Sequence, residues 1–260
     1  MHVQVLGSGS GGNATLVRAG ELAVLVDAGI ALDELERRLA AAELPPHRLD
    51  AILLTHGHLD HARSAGLLSK KCGARVYCSA GMMSNASVRQ AQSLAVLPVG
   101  RTLAIPARVG RDALAVHTIA LPHDADPTLA LRLEHAGRVA AVCTDMGSPD
   151  ASAARALRAH VLVLEFNHDR ELLEHGPYSA ALKRRVGGAR GHLSNAEAVI
   201  VLEHALAPEL HTLVLAHLSR TNNRPELALT AAREALAQAG RSDVRLVLAE
   251  QDRVGPRLAV

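Results

Sequence analysis

Aromatic side chains are almost missing from this chain of 260 residues: Tyr77, Phe166 and Tyr178 are the whole set. A platform that stacks successive bases needs several rings, and three scattered ones argue against it. No stretch of about eighteen uncharged apolar residues occurs, which excludes a transmembrane helix. The opening His2-Val3-Gln4-Val5 contains no basic run leading into an apolar segment, so no secretory signal is expected. Cysteine is scarce as well. Cys72, Cys78 and Cys143 form no Cys-x-x-Cys pair, and an odd, scattered set fits a reducing cytoplasm better than a disulfide framework. Nor does one charge dominate, since 28 Lys and Arg stand against 26 Asp and Glu. Such a balance does not demand a nucleic-acid partner, although it leaves room for a local basic patch.

What the chain does have is histidine, 15 in all, and short β-branched or apolar runs. The runs predict strands over 2–6, 15–17, 23–26, 51–54, 75–78, 114–120, 129–133, 139–143, 161–164, 212–215 and 245–248. Helical spacing recurs over 32–42, 152–158, 178–186, 195–206 and 225–239. Tight turns such as Ala19-Gly20 imply antiparallel pairing early in the chain. Ser194 or Asn195 suits an N-cap with Glu197 in the first turn, and Pro225 suits the first turn of the last helix. Each half is strand-rich and finishes in helices, with no linker, repeat or low-complexity segment between. The expectation is an α/β fold, two packed sheets with helices outside, forming a single domain over residues 1–260.

One motif misleads. Gly7-Ser8-Gly9-Ser10-Gly11-Gly12 follows a strand, and Asp27 closes another about twenty residues on, the spacing of a dinucleotide-binding fingerprint. That fold needs a helix to open at the third glycine. Here residues 13–18 read as strand and turn at once into 21–27, leaving no room for a crossover helix. A Gly/Ser loop bringing backbone close to a ligand remains the better reading.

The strongest signal is Thr55-His56-Gly57-His58-Leu59-Asp60-His61, directly after the apolar run 51–54. Four candidate metal ligands fall within six positions at the exit of a strand. Neutral imidazoles and a carboxylate suit a borderline divalent ion such as zinc. In an extended or turning segment alternate residues point the same way, so His56 and His58 can share one ion.

This arrangement resembles the signature of the metallo-β-lactamase fold, a four-layer αββα sandwich of two mixed sheets packed face to face with helices outside. The resemblance implies two divalent metal ions held by His56, His58, Asp60, His61, His123, Asp145 and His217, each of the last three following a predicted strand. His117, inside a strand, competes with His123; the loop in Leu121-Pro122-His123-Asp124 favours His123. Asp27, in Leu25-Val26-Asp27-Ala28-Gly29, is similar to the family's supporting aspartate. His2, His47, His135, His160, His175, His204 and His211 are expected to be bystanders. Zinc and manganese both suit these donors.

Further segments resemble ribonuclease Z-like enzymes and, from end to end, the YycJ/WalJ-like branch. They are the segments 9–15, 56–61, His123-Asp124-Ala125-Asp126-Pro127, Glu165-Phe166-Asn167-His168-Asp169, 191–195 and His217-Leu218-Ser219-Arg220-Thr221-Asn222-Asn223. The resemblance implies a cytoplasmic 5′-to-3′ DNA exonuclease linked to DNA repair. Asp60 and a metal-bound hydroxide would take part in phosphodiester hydrolysis, and His192, oriented by Glu165, would protonate the leaving oxygen. Asn13, His168, Ser194, Asn195, Arg220 and Asn223 are the matching substrate-binding candidates. Lys183, Arg184, Arg185, Arg190 and Arg224 are candidate phosphate contacts. Phe166 stands where the family usually has a small polar residue. No membrane and no obligatory protein partner is implied. The alternatives are a small-molecule hydrolase, either a cyclic phosphodiesterase or a glyoxalase II-like thioesterase, and a non-catalytic binding module.

Overall fold

Fourteen strands and eight α-helices are found in the computed structural model, which describes residues 1–125 and 127–260. Asp126, part of the His123–Pro127 motif, lies outside the described residues. The first sheet holds β1 (His2–Gly7), β2 (Ala14–Ala19), β3 (Leu22–Val26), β4 (Ala51–Leu53), β5 (Arg75–Cys78) and β6 (Leu94–Val96). The second holds β7 (Thr102–Pro106), β8 (Ala113–Leu121), β9 (Thr128–His135), β10 (Arg138–Cys143), β11 (Val161–Glu165), β12 (Thr212–Ala216) and β13 (Arg245–Leu248). The last strand, β14 (Leu258–Ala259), returns to pair antiparallel with β1. The sheet orders are β14-β1-β2-β3-β4-β5-β6 and β13-β12-β11-β10-β9-β8-β7.

Both sheets switch pairing in the middle. β1, β2 and β3 are antiparallel, then β3 to β6 run parallel. Similarly β7 to β10 are antiparallel and β10 to β13 parallel. The helices that make parallel returns necessary cover the outer faces, so these strands are apolar on both sides. In β3, Leu22, Val24 and Val26 face the other sheet while Ala23 and Leu25 face helices. That alternation has the period of two that a strand imposes.

The resulting layers are αββα, as the histidine motif led us to expect. Between the sheets, Val5, Val24, Leu53, Leu131, Val142, Val163 and Val214 form one cluster. Outside the first sheet, Leu35 and Leu39 of α1 (Leu32–Ala41) and Leu68 of α3 (Ala65–Cys72) pack on Leu16, Leu25 and Ile52. Outside the second, α4 (Ala151–Ala156), α7 (Asn195–Ala205) and α8 (Pro225–Gln238) cover Leu162, Leu164, Leu213 and Leu215. Three short helices complete the chain: α2 (Leu59–Ala62), α5 (Arg170–His175) and α6 (Ala180–Val186). Ser194 caps α7 in a capping box with Glu197, and Pro225 occupies the first turn of α8. Gly7 to Gly12 lead from β1 into β2 with no helix between, which removes the dinucleotide reading.

Strands β6, β7 and β14 and helices α2, α3 and α5 were not expected from sequence. The segment 55–61 is also less extended than predicted, because His58 caps α2 and both Asp60 and His61 sit on that helical turn. Truncating Leu131, buried at the centre of the sandwich, is expected to cost about 2–5 kcal/mol. Urea denaturation of Leu131→Ala should show a lower midpoint with an unchanged slope.

Candidate metal centre and active site

The carboxyl ends of the parallel strands all open on one edge of the sandwich, and the titratable residues collect there. Asp27 follows β3, His56 follows β4, Asp145 follows β10, Glu165 ends β11 and His217 follows β12. Asp27, Asp145 and His217 adopt the left-handed region at φ 61°, 59° and 55°, which is costly for a residue with a Cβ. Each thereby ends its strand abruptly and turns its side chain to the edge. Gly29 makes room for this. A Cβ there would fall 1.6 Å from the Asp60 carbonyl oxygen, so only glycine lets the loop after β3 press on the turn carrying Asp60 and His61.

All seven predicted metal ligands come together. His56, His58 and His123 form one group of ligand atoms within 4.8 Å of one another, and Asp60, His61 and His217 form another. Asp145 joins a third group with His56 and His61. Its Oδ2 is 2.7 Å from His61 Nε2, and its Oδ1 is 3.9 Å from His123 Nε2. Ligand bonds of about 2.0–2.2 Å separate neighbouring donors of one ion by roughly 3–4 Å, a range that includes the Asp145–His123 separation, whereas Asp145 and His61 stand at hydrogen-bond distance.

The ring nitrogens are divided consistently. His61 Nδ1 lies 2.8 Å from Asp27 Oδ2, His123 Nδ1 donates to the Gly191 carbonyl at 2.8 Å, and His56 Nδ1 lies 3.1 Å from Thr55 Oγ1. His217 Nδ1 is 3.1 Å from Glu165 Oε1. Each outer nitrogen is therefore fixed by the scaffold, the usual way a tautomer is set for metal binding. The inward Nε2 atoms of His56, His123 and His217 are buried without a hydrogen-bond partner. Burial without a partner is costly, and a divalent cation among these donors removes the cost. The residues fit a metal.

Electrostatics agree. Burial, reinforced by neighbouring histidines, holds His56 well below its ordinary pKa, and burial lowers His123 as well. Both are neutral, the form that ligates. Burial opposes protonation of His61 too, but Asp145 and Asp27 outweigh it and lift its pKa well above the usual value. Asp145 is held well below the carboxylate range because His217 and His61 overcome its burial. A locus that binds protons this firmly attracts cations.

Glu165 and His192 form a second unit beside these ligands. Glu165 Oε2 accepts from the Met146 and Leu193 amides, while Oε1 lies 2.9 Å from His192 Nδ1. Burial alone would raise the Glu165 carboxyl, yet His192 and His217 bring it to about 2. The same pairing, with Asp145 contributing, overcomes burial of His192 and raises its pKa to about 11. His192 nevertheless reaches a cavity of about 180 Å³ that Asp60, His217, Asn167, Tyr178, Leu182 and Arg185 also line. Phe166 points the other way, into the core under α7 and α8, so it leaves the polar partners of Glu165 untouched.

Several of the candidate substrate contacts make structural bonds within the chain. Asn13 is buried, donating to the Gly9 and Asp60 carbonyls and lying 3.0 Å from His61 Nε2. Ser194 is occupied by its capping box. Asn195 and Asn223 bond each other reciprocally through buried side-chain amides. Arg220 pairs with Asp252 beside a separate cleft. His168 is buried next to Ser194, with burial lowering its pKa. Arg190 donates to the His123 carbonyl at 2.7 Å, and His117 lies on β8 against Thr102.

Sequence reasoning missed four contributors. Asp124 Oδ1 lies 3.3 Å from His58 Nε2 and 3.2 Å from His123 Nε2, with Arg185 on its other oxygen. Its position next to His123 was the available signal. Asn167 contacts His217 through both its ring and its carbonyl, Ser8 Oγ accepts from the His217 amide, and Thr55 ties Asp27 to His56. Nothing in the sequence marked Ser8 beyond its place in the glycine loop.

The family model of the metallo-beta-lactamase superfamily matches residues 7–217. The chain is 30% identical over 245 residues to "Exodeoxyribonuclease YycJ" of Bacillus anthracis, covering 92% of this chain and 90% of that protein. It is also 30% identical over 242 residues to "Exodeoxyribonuclease WalJ" of Streptococcus pneumoniae, covering 90% and 88%. Among solved structures, the metallo-beta-lactamase fold protein YhfI from Bacillus subtilis superposes with a TM-score of 0.71 at 19% identity, covering 97% and 98% of the two chains.

Asp27 accepts from the Thr55 amide and hydroxyl as well as orienting His61. Asp27→Asn should weaken divalent-metal affinity by about 10–100-fold, measured by competition with a chromogenic chelator. Unaltered affinity would mean that His61 is oriented without it.

Proposed function

The chain belongs to the metallo-β-lactamase superfamily, and from that premise we propose that it is a two-metal phosphodiesterase acting as a 5′-to-3′ DNA exonuclease. Metal-dependent hydrolysis of the nuclease or phosphodiesterase kind is the activity class to which its relatives point. The observation that carries the finer reading is the Glu165–His192 pair, held at 2.9 Å and opening on the cavity that Asp60 and His217 also line. Alkoxide leaving groups of phosphodiesters are poor, and a positioned acid is worth about 10²–10⁴-fold. A thioester or β-lactam hydrolase has less use for such a pair.

In this reading His56, His58 and His123 would hold one divalent ion and Asp60, His61 and His217 a second, with Asp145 grouped with one residue of each set, His56 and His61. Zinc and manganese both suit these donors. Bound there, such ions would activate a water and polarise a phosphoryl oxygen. The remaining work belongs to the protein. Glu165, with both oxygens occupied, fixes the His192 ring and keeps it protonated at neutral pH. From there the imidazolium donates its proton to the departing oxygen, and Glu165 stabilises the ring in place. Arg185 at the rim of the cavity is suited to a flanking backbone phosphate.

We infer also that residues 1–260 work as one domain, because both sheets contribute to the same cluster. The compartment proposed is the cytoplasm, a reading supported by three buried, unpaired thiols, Cys72, Cys78 and Cys143. Among the described residues no helix is long and apolar enough to cross a membrane.

Labelled DNA should be digested in the presence of added zinc or manganese, with bis(p-nitrophenyl) phosphate hydrolysed more slowly and a glutathione thioester left intact. The reverse order would favour a small-molecule hydrolase. Elemental analysis should find about two ions per chain; a value below one would defeat the two-metal reading. His192→Ala should lower turnover on DNA by about 10²–10⁴-fold while both ions remain, and full activity in that variant would exclude His192 as the acid.

A further inference from the structure

We propose that Tyr178, Leu182 and Val186 form a subsite for a single nucleobase, in which the Tyr178 ring stacks on the terminal base of the DNA. The inference rests on the nuclease reading above and adds to it how the substrate end is recognised. Of the three aromatic rings in the chain, Phe166 and Tyr77 are core residues, 0% and 6% exposed. Tyr178 alone is half-buried, and it lines the same cavity as His192, His217 and Asp60.

Leu182 and Val186 lie four residues apart on one face of α6. Tyr178 immediately precedes the Ser179 N-cap of that helix, and all three side chains line the cavity. Beside Arg185, this part of the lining offers two aliphatic side chains and one ring, and Asp60, His192 and His217 line the same cavity. A nucleotide combines both chemistries, with an apolar-faced base at one end and a phosphate at the other. The segment carrying the ring is tied down by its neighbours. Ser179 caps α6 through the Leu182 amide, and Lys183 Nζ donates to the Glu174 carbonyl at 2.6 Å.

A single ring limits the subsite to one base. A groove that tracks many nucleotides needs a series of rings, and this chain lacks them. An exonuclease needs only one, because the base at a strand end has lost a stacking neighbour and a single tyrosine replaces it. Stacking tolerates any base, since each presents a π-face, which suits processive digestion of arbitrary sequence.

The test compares DNA with an intact terminal nucleotide against the same DNA ending in a tetrahydrofuran abasic analogue, using the metal-loaded full chain. For the wild type, loss of the terminal base should raise KM by about 5- to 100-fold, with little change in kcat. Tyr178→Ala should handle the two substrates with equal KM, and Tyr178→Phe should restore the difference, because the ring and not the hydroxyl is required. Quenching of a terminal 2-aminopurine on binding should follow the same pattern. If Tyr178→Ala loses activity by one factor on both substrates and still discriminates between them, the residue is structural and the inference is overturned. DNA digestion by the wild type with no dependence on the terminal base overturns the subsite alone. Failure to digest or bind any DNA overturns the nuclease reading and the subsite together.

Discussion

Three residues bent into the left-handed backbone region hold this molecule's chemistry in place. Asp27, Asp145 and His217 each terminate a strand with positive φ, a conformation that costs a side-chain-bearing residue about 1–3 kcal/mol. The surroundings enforce it at every position. Asp27 accepts from the Thr55 amide and hydroxyl, the amide after Asp145 donates to Glu165, and the His217 amide donates to Ser8. Had these strands continued straight, their side chains would alternate between the two apolar faces of each sheet, where no carboxylate or imidazole can stay charged or ligate. The sharp turn converts a strand end into a platform for polar groups while the core behind it stays dry.

Around that edge the protein uses a repeated device. An inner ring of nitrogen and oxygen atoms faces one space, and an outer ring of partners holds each side chain from behind. Asp27 backs His61, Gly191 backs His123, Thr55 backs His56, and Glu165 with Asn167 backs His217. Glu165 serves two histidines at once, His217 among the candidate ligands and His192 as candidate acid. The two roles are thus mechanically linked: a shift of this single carboxylate disturbs both.

Sequence carried the inner ring better than the outer one. His56, His58, Asp60 and His61 are legible because they are contiguous, and Asp145 and His217 because each follows a long apolar run. His123 was separable from His117 because proline and aspartate mark a loop. Strands β6 and β14 are hard to read from sequence because they are short, with three and two residues. Helix α2 was hidden inside the ligand motif itself. The amides were the harder case. Asn195 and Asn223 were readable as polar residues at loop positions, but not as partners of each other across 28 residues of sequence. A motif reports that a side chain is needed, not which way it faces. For Asn13, Ser194, Asn195 and Asn223 the answer is inward, toward the loops that carry the ligands.

The bond from the His217 amide to Ser8 closes a loop of 209 residues. During synthesis on a ribosome, with amino acids added one at a time from the first, the glycine loop emerges long before its distant donor exists. The cluster stays incomplete until more than four-fifths of the polypeptide has been made. A nascent fragment therefore carries no complete set of candidate ligands until His217 has been added.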